Sequence, residues 1–154
     1  MTIEDYVAAR YTSLRRLAFL LCGDWTEAED LVQTALVRCQ RRWSRISADD
    51  PHAYVRRAVI NAAHSWRRRQ RATAPLAESL AADSPDSDAR VALLLALRSI
   101  PSQQREVLVL RYFEQLSESE IADQLGIPAG TVKSRAARGI AALKTSALLE
   151  GVHA

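Results

Sequence analysis

The sequence predicts an all-α protein built from two small helical domains joined by a flexible linker. Three observations carry this reading. Apolar residues recur at steps of three and four through nearly every ordered stretch, and no run alternates as a half-buried strand would. Capping residues and turn glycines stand where those stretches begin and end. The run TAPLAESLAADSPDSDA, residues 73–89, has little periodicity and is rich in Ala, Ser, Asp and Pro, which is linker composition. A chain of 154 residues, 48% hydrophobic and 25% charged, is long enough for two small domains and excludes a wholly disordered protein.

The net charge of +3 divides unevenly. Residues 1–72 carry +5, residues 73–89 carry −4 with no Lys or Arg, and residues 90–154 carry +2. The domains therefore read as 1–72, an acidic linker 73–89, and 90–149. Of the 21 basic side chains only Lys133 and Lys144 are Lys. Arg suits bidentate contact with phosphate and guanine. The longest uncharged apolar runs, Leu17–Gly23 and Val91–Leu97, are far below the roughly 18 residues of a membrane span. Glu4 and Asp5 near the start argue against a secretory leader. Two distant cysteines form neither a disulfide scaffold nor a metal knuckle, so a reducing cytosol is the expected compartment.

The first helix spans residues 3–22, with Ile3, Val7, Tyr11, Leu14, Leu17, Ala18 and Leu21 on one stripe and Gly23 after its end. The second begins near Asp24 or Thr26, where Thr26 and Glu29 fit a capping box. Its core stripe is Ala28, Leu31, Val32, Ala35, Leu36, Cys39 and Trp43, which makes Cys39 a packed thiol; Cys22 sits at a helix end. Its outer face shows Glu27, Asp30, Gln33 and Thr34, then Arg38, Arg41 and Arg42, an order the helix dipole favours.

The third helix opens with Asp50 as N-cap and Pro51 as its first residue. At about 100° per residue, Val55, Ala58, Val59, Ala62 and Trp66 share one third of the circumference. Arg57, Asn61, His64, Arg67, Arg68 and Arg71 share the opposite third, with only Ile60 among them. No acid occurs from Pro51 to Ala77. A solvated face normally interleaves signs to gain i,i+4 pairs. Like charges on one face repel unless a polyanion neutralises them, so this strip reads as a nucleic-acid contact.

In the second half a helix covers about Asp88–Ser99 and stops at Pro101. Another runs from Ser102 to about Gln115, with Val107, Leu108, Leu110 and Tyr112 as core candidates. Ser117 and Glu120 form a capping box for a short helix with Ile121, Ala122 and Leu125 inward; Gly126 is its turn glycine and Ile127 packs inward. A last helix starts near Ala129, with Val132, Ala136, Ile140 and Leu143 on its core face and Gly139 permitting close approach. Thr131, Ser134, Arg135 and Arg138 lie on its exposed face, with Lys133 at the edge. This is a helix-turn-helix, whose second helix enters the major groove.

Together GDWTEAEDLVQTALVRCQRRW, DPHAYVRRAVINAAHSWRRRQR and SIPSQQREVLVLRYFEQLSESEIADQLGIPAGTVKSRAARGIAALK resemble the extracytoplasmic-function sigma factors of bacterial RNA polymerase, in look nearest the actinobacterial SigE-like subgroup. The resemblance covers about residues 3–145. It implies a region 2 helical bundle followed by a region 4 helix-turn-helix, and a subunit that confers promoter specificity and starts transcription. Glu29, Asp30 and Gln33 then contact core polymerase through the clamp of its largest subunit; Thr34 stands where the family often has Glu. Arg57, Asn61, His64, Arg67 and Arg68 face the −10 element, beside the loop Ser44–Asp50 that helps shape a pocket for a flipped base. Thr131, Lys133, Ser134, Arg135 and Arg138 face the −35 element. The implied partners are core RNA polymerase, including the flap of the second-largest subunit, promoter DNA and, as the family allows, an anti-sigma factor. No membrane insertion is implied, and no cofactor, metal or catalytic residue.

Rival readings predict other behaviour. A conventional helix-turn-helix repressor or activator binds its site tightly without polymerase. A pure interaction module leaves the arginine strip without a purpose. An enzyme would need a metal site on Cys22, Cys39, His52 and His64, which lack ligand spacing, and there is no glycine-rich phosphate loop.

Overall fold

Gly23 decides where the first helix stops. In the computed structural model, which describes residues 1–71 and 88–151, α1 runs Ile3–Cys22 and Gly23 takes φ 83°, donating its N–H to the Phe19 carbonyl. Thr2 caps the opposite end, its hydroxyl accepting from the Asp5 N–H at 3.0 Å. The next helix, α2 (Trp25–Gln40), is capped by Asp24, whose carboxylate accepts from the Glu27 N–H at 3.0 Å. The capping box expected at Thr26 and Glu29 does not form, because the helix has already started at Trp25. Arg42 then leaves helical geometry (φ −116°, ψ 21°), and Trp43 opens a one-turn helix, α3 (Trp43–Ile46), instead of continuing the stripe of α2. The expected loop Ser44–Asp50 is therefore helical at its start. Next comes α4 (Pro51–Arg71), where the Asp50 carboxylate accepts from the Ala53 N–H at 3.3 Å.

These helices form the first of two compact units, which divide between Glu78 and Ser79. Its core joins Leu14, Leu17 and Leu21 of α1, Ala28, Val32 and Ala35 of α2, and Val55, Val59 and Ala62 of α4, all fully or nearly fully buried. Because α4 packs on both α1 and α2, a wider arc of it is covered than one stripe supplies. Ile60, expected among the exposed cations, is 1% exposed, and Arg56 and Ala63 are buried with it. Cys22 and Cys39 are free buried thiols, and desolvation raises the Cys39 pKa above the usual thiol value, which suits packing more than reactivity. Of the expected linker, residues 73–87 lie outside the described residues, while Asp88 and Ala89 open the next helix.

The second unit contains α5 (Asp88–Ser99), α6 (Ser102–Leu108), a π-helical turn (Val109–Phe113), α7 (Glu118–Leu125) and α8 (Ala129–Gly151). Arg105 is buried and ties α5 to α6. Its guanidinium donates to the Leu97 carbonyl at 2.8 Å and the Ile100 carbonyl at 3.0 Å, satisfying groups at the end of α5 where the dipole is negative. Leu93 and Leu95, inside the apolar block of α5, are exposed. The long helix expected from Ser102 to Gln115 is interrupted by the π turn, in which the Glu114 N–H reaches the Val109 carbonyl. Tyr112 is 58% exposed, against its expected place in the core, and Val109 is fully buried. Among the described residues no helix is long and apolar enough to cross a membrane.

Candidate nucleic-acid interface

In the first unit two exposed helix faces matter, one on α2 and one on α4. On α2, Asp30 and Gln33 project into solvent with Thr34. Glu29, grouped with them by sequence, leans the other way: its carboxylate lies 3.0 Å from the Arg15 Nε of α1, an ion contact without hydrogen-bond alignment. Arg15 also lies 4.4 Å above the Trp25 ring, and Trp25 stacks on Phe19 at 3.9 Å. This brace fixes the first turn of α2 against α1, so the exposed side of α2 is held at a set angle. Glu27 is half-buried, and its pKa is raised, first by desolvation and then by Asp30 and Asp24, with Arg69 opposing.

On α4 the exposed side chains of the expected strip are Arg57, Asn61 and Arg68, while His64 and Arg67 are half-buried and the Arg71 side chain lies outside those described. Arg68 donates to the Ser65 hydroxyl at 3.1 Å. Burial of Ile60 makes the strip narrower than the sequence suggests. It is also longer. Tyr54 stands three residues before Arg57 and seven before Asn61, so it lies on the same face, and it is 48% exposed.

At this end the strip runs into a groove of about 580 Å³ lined by Val37, Arg38, Cys39, Arg41, Arg42, Arg45, Ile46 and Tyr54. The end of α2, the turn α3 and the start of α4 each supply a wall. The lining holds four guanidiniums and no carboxylate. None of the four has an acidic partner among the described residues. Arg38, Arg41, Arg42, Arg45 and Tyr54 fall outside the site that spacing alone assembles. The charge run at residues 38–45 is visible in the sequence, but the helix dipole already accounts for it, and only the fold brings it to α4. Cations around an exposed aromatic suit an anionic chain bearing planar bases.

In the second unit the capping box forms as the sequence indicates. The Ser117 hydroxyl accepts from the Glu120 N–H at 3.1 Å, and the Glu120 carboxylate accepts from the Ser117 N–H at 2.9 Å. Gly126 takes φ 67° and closes α7 onto the Ala122 carbonyl. Ile121 and Val132 are fully buried, which fixes the angle between α7 and α8. A Cβ on Gly139 would lie 2.8 Å from Leu108 Cδ1, so the missing side chain is what lets α8 approach α6. Along the outer side of α8, Lys133, Ala137 and Arg138 are exposed, while Thr131, Ser134 and Arg135 are half-buried. The Ser134 hydroxyl donates to the Thr131 carbonyl at 3.2 Å. The outward set near the start of α8 is thus small, polar and cationic, a shape that fits a DNA groove. Among the described residues no group of His, Cys, Asp and Glu could hold a metal ion.

Known proteins share both halves in this order. Residues 6–73 match the family model for Sigma-70 region 2, and residues 90–143 that for Sigma-70, region 4. The RNA polymerase sigma-E factor of Streptomyces avermitilis is 40% identical over 153 residues, covering 94% of this chain and 84% of that protein. The ECF RNA polymerase sigma factor SigM of Mycobacterium tuberculosis is 32% identical, with 86% and 70% covered. Among solved structures, the sigma factor RpoE in complex with the anti-sigma factor NepR from Bartonella quintana has a TM-score of 0.77 at 21% identity, covering 93% of this chain and 94% of that one. CnrH in complex with the cytosolic domain of CnrY gives 0.66 at 27% identity, covering 97% and 88%.

Proposed function

The chain belongs to the sigma-70 family of RNA polymerase sigma factors, in its extracytoplasmic-function branch, and from that premise we propose a division of labour among its surfaces. Residues 1–72 dock on core polymerase and capture the −10 element. Residues 90–149 hold the −35 duplex, and residues 73–89 tether the two. Asp30 and Gln33 meet the clamp of the largest subunit, with Glu29 keeping α2 in place through Arg15. The α4 strip, Arg57, Asn61, His64, Arg67 and Arg68, meets the −10 strand. Unpaired bases pass along it toward Tyr54 and the arginine groove. Extruding a base costs a few kcal/mol, which stacking and phosphate contacts offset. On α8, Thr131, Ser134, Arg135 and Arg138 read the −35 groove edge, and Lys133 neutralises phosphate. The second unit also meets the polymerase flap.

The protein works in the cytoplasm as a non-catalytic subunit. An anti-sigma factor is a fitting partner, since RpoE was solved in complex with the anti-sigma factor NepR and CnrH with the cytosolic domain of CnrY. The observation that carries this reading is the α4 face: cations without a single acid, exposed on a helix whose other sides are buried in the core. Mobility shifts with promoter fragments test it. Selective binding is expected only with core polymerase present, and Asp30→Arg removes it while helicity is kept. Tight, selective binding by the free chain would mean a conventional repressor instead.

A further inference from the structure

One wall of the arginine groove is the four-residue helix α3, which is too short to hold its own shape. Its start, Arg42, makes no side-chain cap. Ile46 is buried and anchors the far end of the turn. The near end depends on Trp43, whose ring packs on Tyr6 of α1 with centroids 5.3 Å apart. The Trp43 indole N–H also donates to the Met1 carbonyl at 3.0 Å.

Tyr6 is 2% exposed, and it touches a second wall of the same groove. Its hydroxyl lies 2.8 Å from Nδ1 of His52, the second residue of α4 and two before Tyr54. One α1 side chain therefore contacts two of the three segments that carry groove residues: the turn bearing Arg45 and Ile46, and the helix start bearing Tyr54. A hydrogen bond between a buried hydroxyl and a half-buried imidazole fixes distance and direction, where apolar packing alone tolerates sliding.

We propose that Tyr6, His52 and Trp43 are positioning residues that hold the groove open and in register before DNA arrives. They touch no DNA. They set the spacing between Tyr54 and the α3 arginines, so that strand capture needs no rearrangement of the walls. This rests on the proposed strand-capturing role of the groove. The core-docking face at Asp30 and Gln33 lies on the exposed side of α2 and is independent of the lock.

The test uses holoenzyme assembled from the full chain and core polymerase, on a promoter fragment recovered by runoff transcription from genomic DNA. Two quantities are read: affinity for core polymerase, and permanganate reactivity of unpaired −10 thymines. Tyr6→Phe, which keeps the ring and removes only the hydroxyl, should lower strand opening about threefold to tenfold, the factor one hydrogen bond is worth. Core affinity should stay within twofold. His52→Leu should match that loss. His52→Asn, whose amide places a polar atom near the position of Nδ1, should restore most of it, a rescue that bulk packing does not predict. Trp43→Phe should fall between. If Tyr6→Phe opens the promoter as well as the parent, or His52→Asn is no better than His52→Leu, or core affinity falls in parallel, the lock is wrong. If the parent protein itself opens no promoter with core polymerase, the strand-capturing role fails first.

Discussion

The two units bury their recognition helices to very different depths. In the first, α4 lies between α1 and α2, and twenty apolar side chains of that unit are buried. In the second, nine described apolar side chains are buried, and α8 contributes only Val132 and the close approach at Gly139. A helix enclosed on two sides can carry many like charges on its remaining edge, because burial offsets their repulsion. α8 touches α5, α6 and α7 but buries little apolar surface of its own among the described residues, and it carries a sparser, mixed set of small and cationic residues. In the proposed function the difference in burial goes with a difference in what each helix meets. A rigid cationic edge suits separated strands, and a lightly held helix suits a preformed duplex groove.

The most direct way to break this comparison is to remove similar volumes from both cores. Leu17→Ala and Ile121→Ala each take a fully buried aliphatic group, at a cost of about 2–5 kcal/mol. The first unit should absorb it with a lower melting temperature. The smaller second core should unfold, seen as partial loss of helical ellipticity and of amide protection confined to residues 88–151. Equal protection in the two units after these substitutions would show that their stabilities do not follow burial.

Next in size are the contacts of α8. Arg138→Ala should cost about 1–3 kcal/mol and relax choice at one −35 base pair. Lys133→Ala should weaken all sequences alike and lower the salt slope by about one. Binding measured over base-substituted −35 duplexes at several salt concentrations separates them. Uniform loss for Arg138→Ala would move that residue to the phosphate group.

The smallest effect concerns Glu27. Its folded pKa is raised, so the folded protein holds this proton more tightly than the unfolded chain does. The stability it contributes is therefore full below the ordinary carboxylate pKa and is lost as pH rises through the raised value. Glu27→Gln should remove that loss, raising the melting temperature slightly at neutral pH while leaving it unchanged near pH 4. The change should stay within roughly 0.5 kcal/mol, as for other partly exposed positions. A lower melting temperature at neutral pH would make the attraction of Arg69 the larger effect.

Much of the fold is legible from single residues. Thr2, Asp24, Asp50, Ser117, Gly23 and Gly126 lie at helix ends in the structure, and the chemistry of all but Thr2 signals an end in the sequence reading. Between Asp24 and Thr26 the sequence leaves a choice that local signals cannot make, and the helix starts at the earlier position. Tyr112 shows another limit. At about 100° per residue it stands about 140° from Val107, so its aromatic ring suggests the core where its angle does not, and it is exposed. The candidate site is half legible: the α4 strip follows from spacing, but Tyr54 and the arginines of residues 38–45 belong to it only through three-dimensional proximity.

By itself the sequence determined that the chain is helical, where most of its helices begin and end, and which side of each is apolar. It also determined that Arg57, Asn61 and Arg68 share a face. Tertiary structure alone decided how wide each apolar side is. That width depends on how many neighbours a helix packs against, and periodicity carries an angle but no count of neighbours. Hence Ile60 went inside, Glu29 turned to Arg15, and a groove formed where α2, α3 and α4 meet.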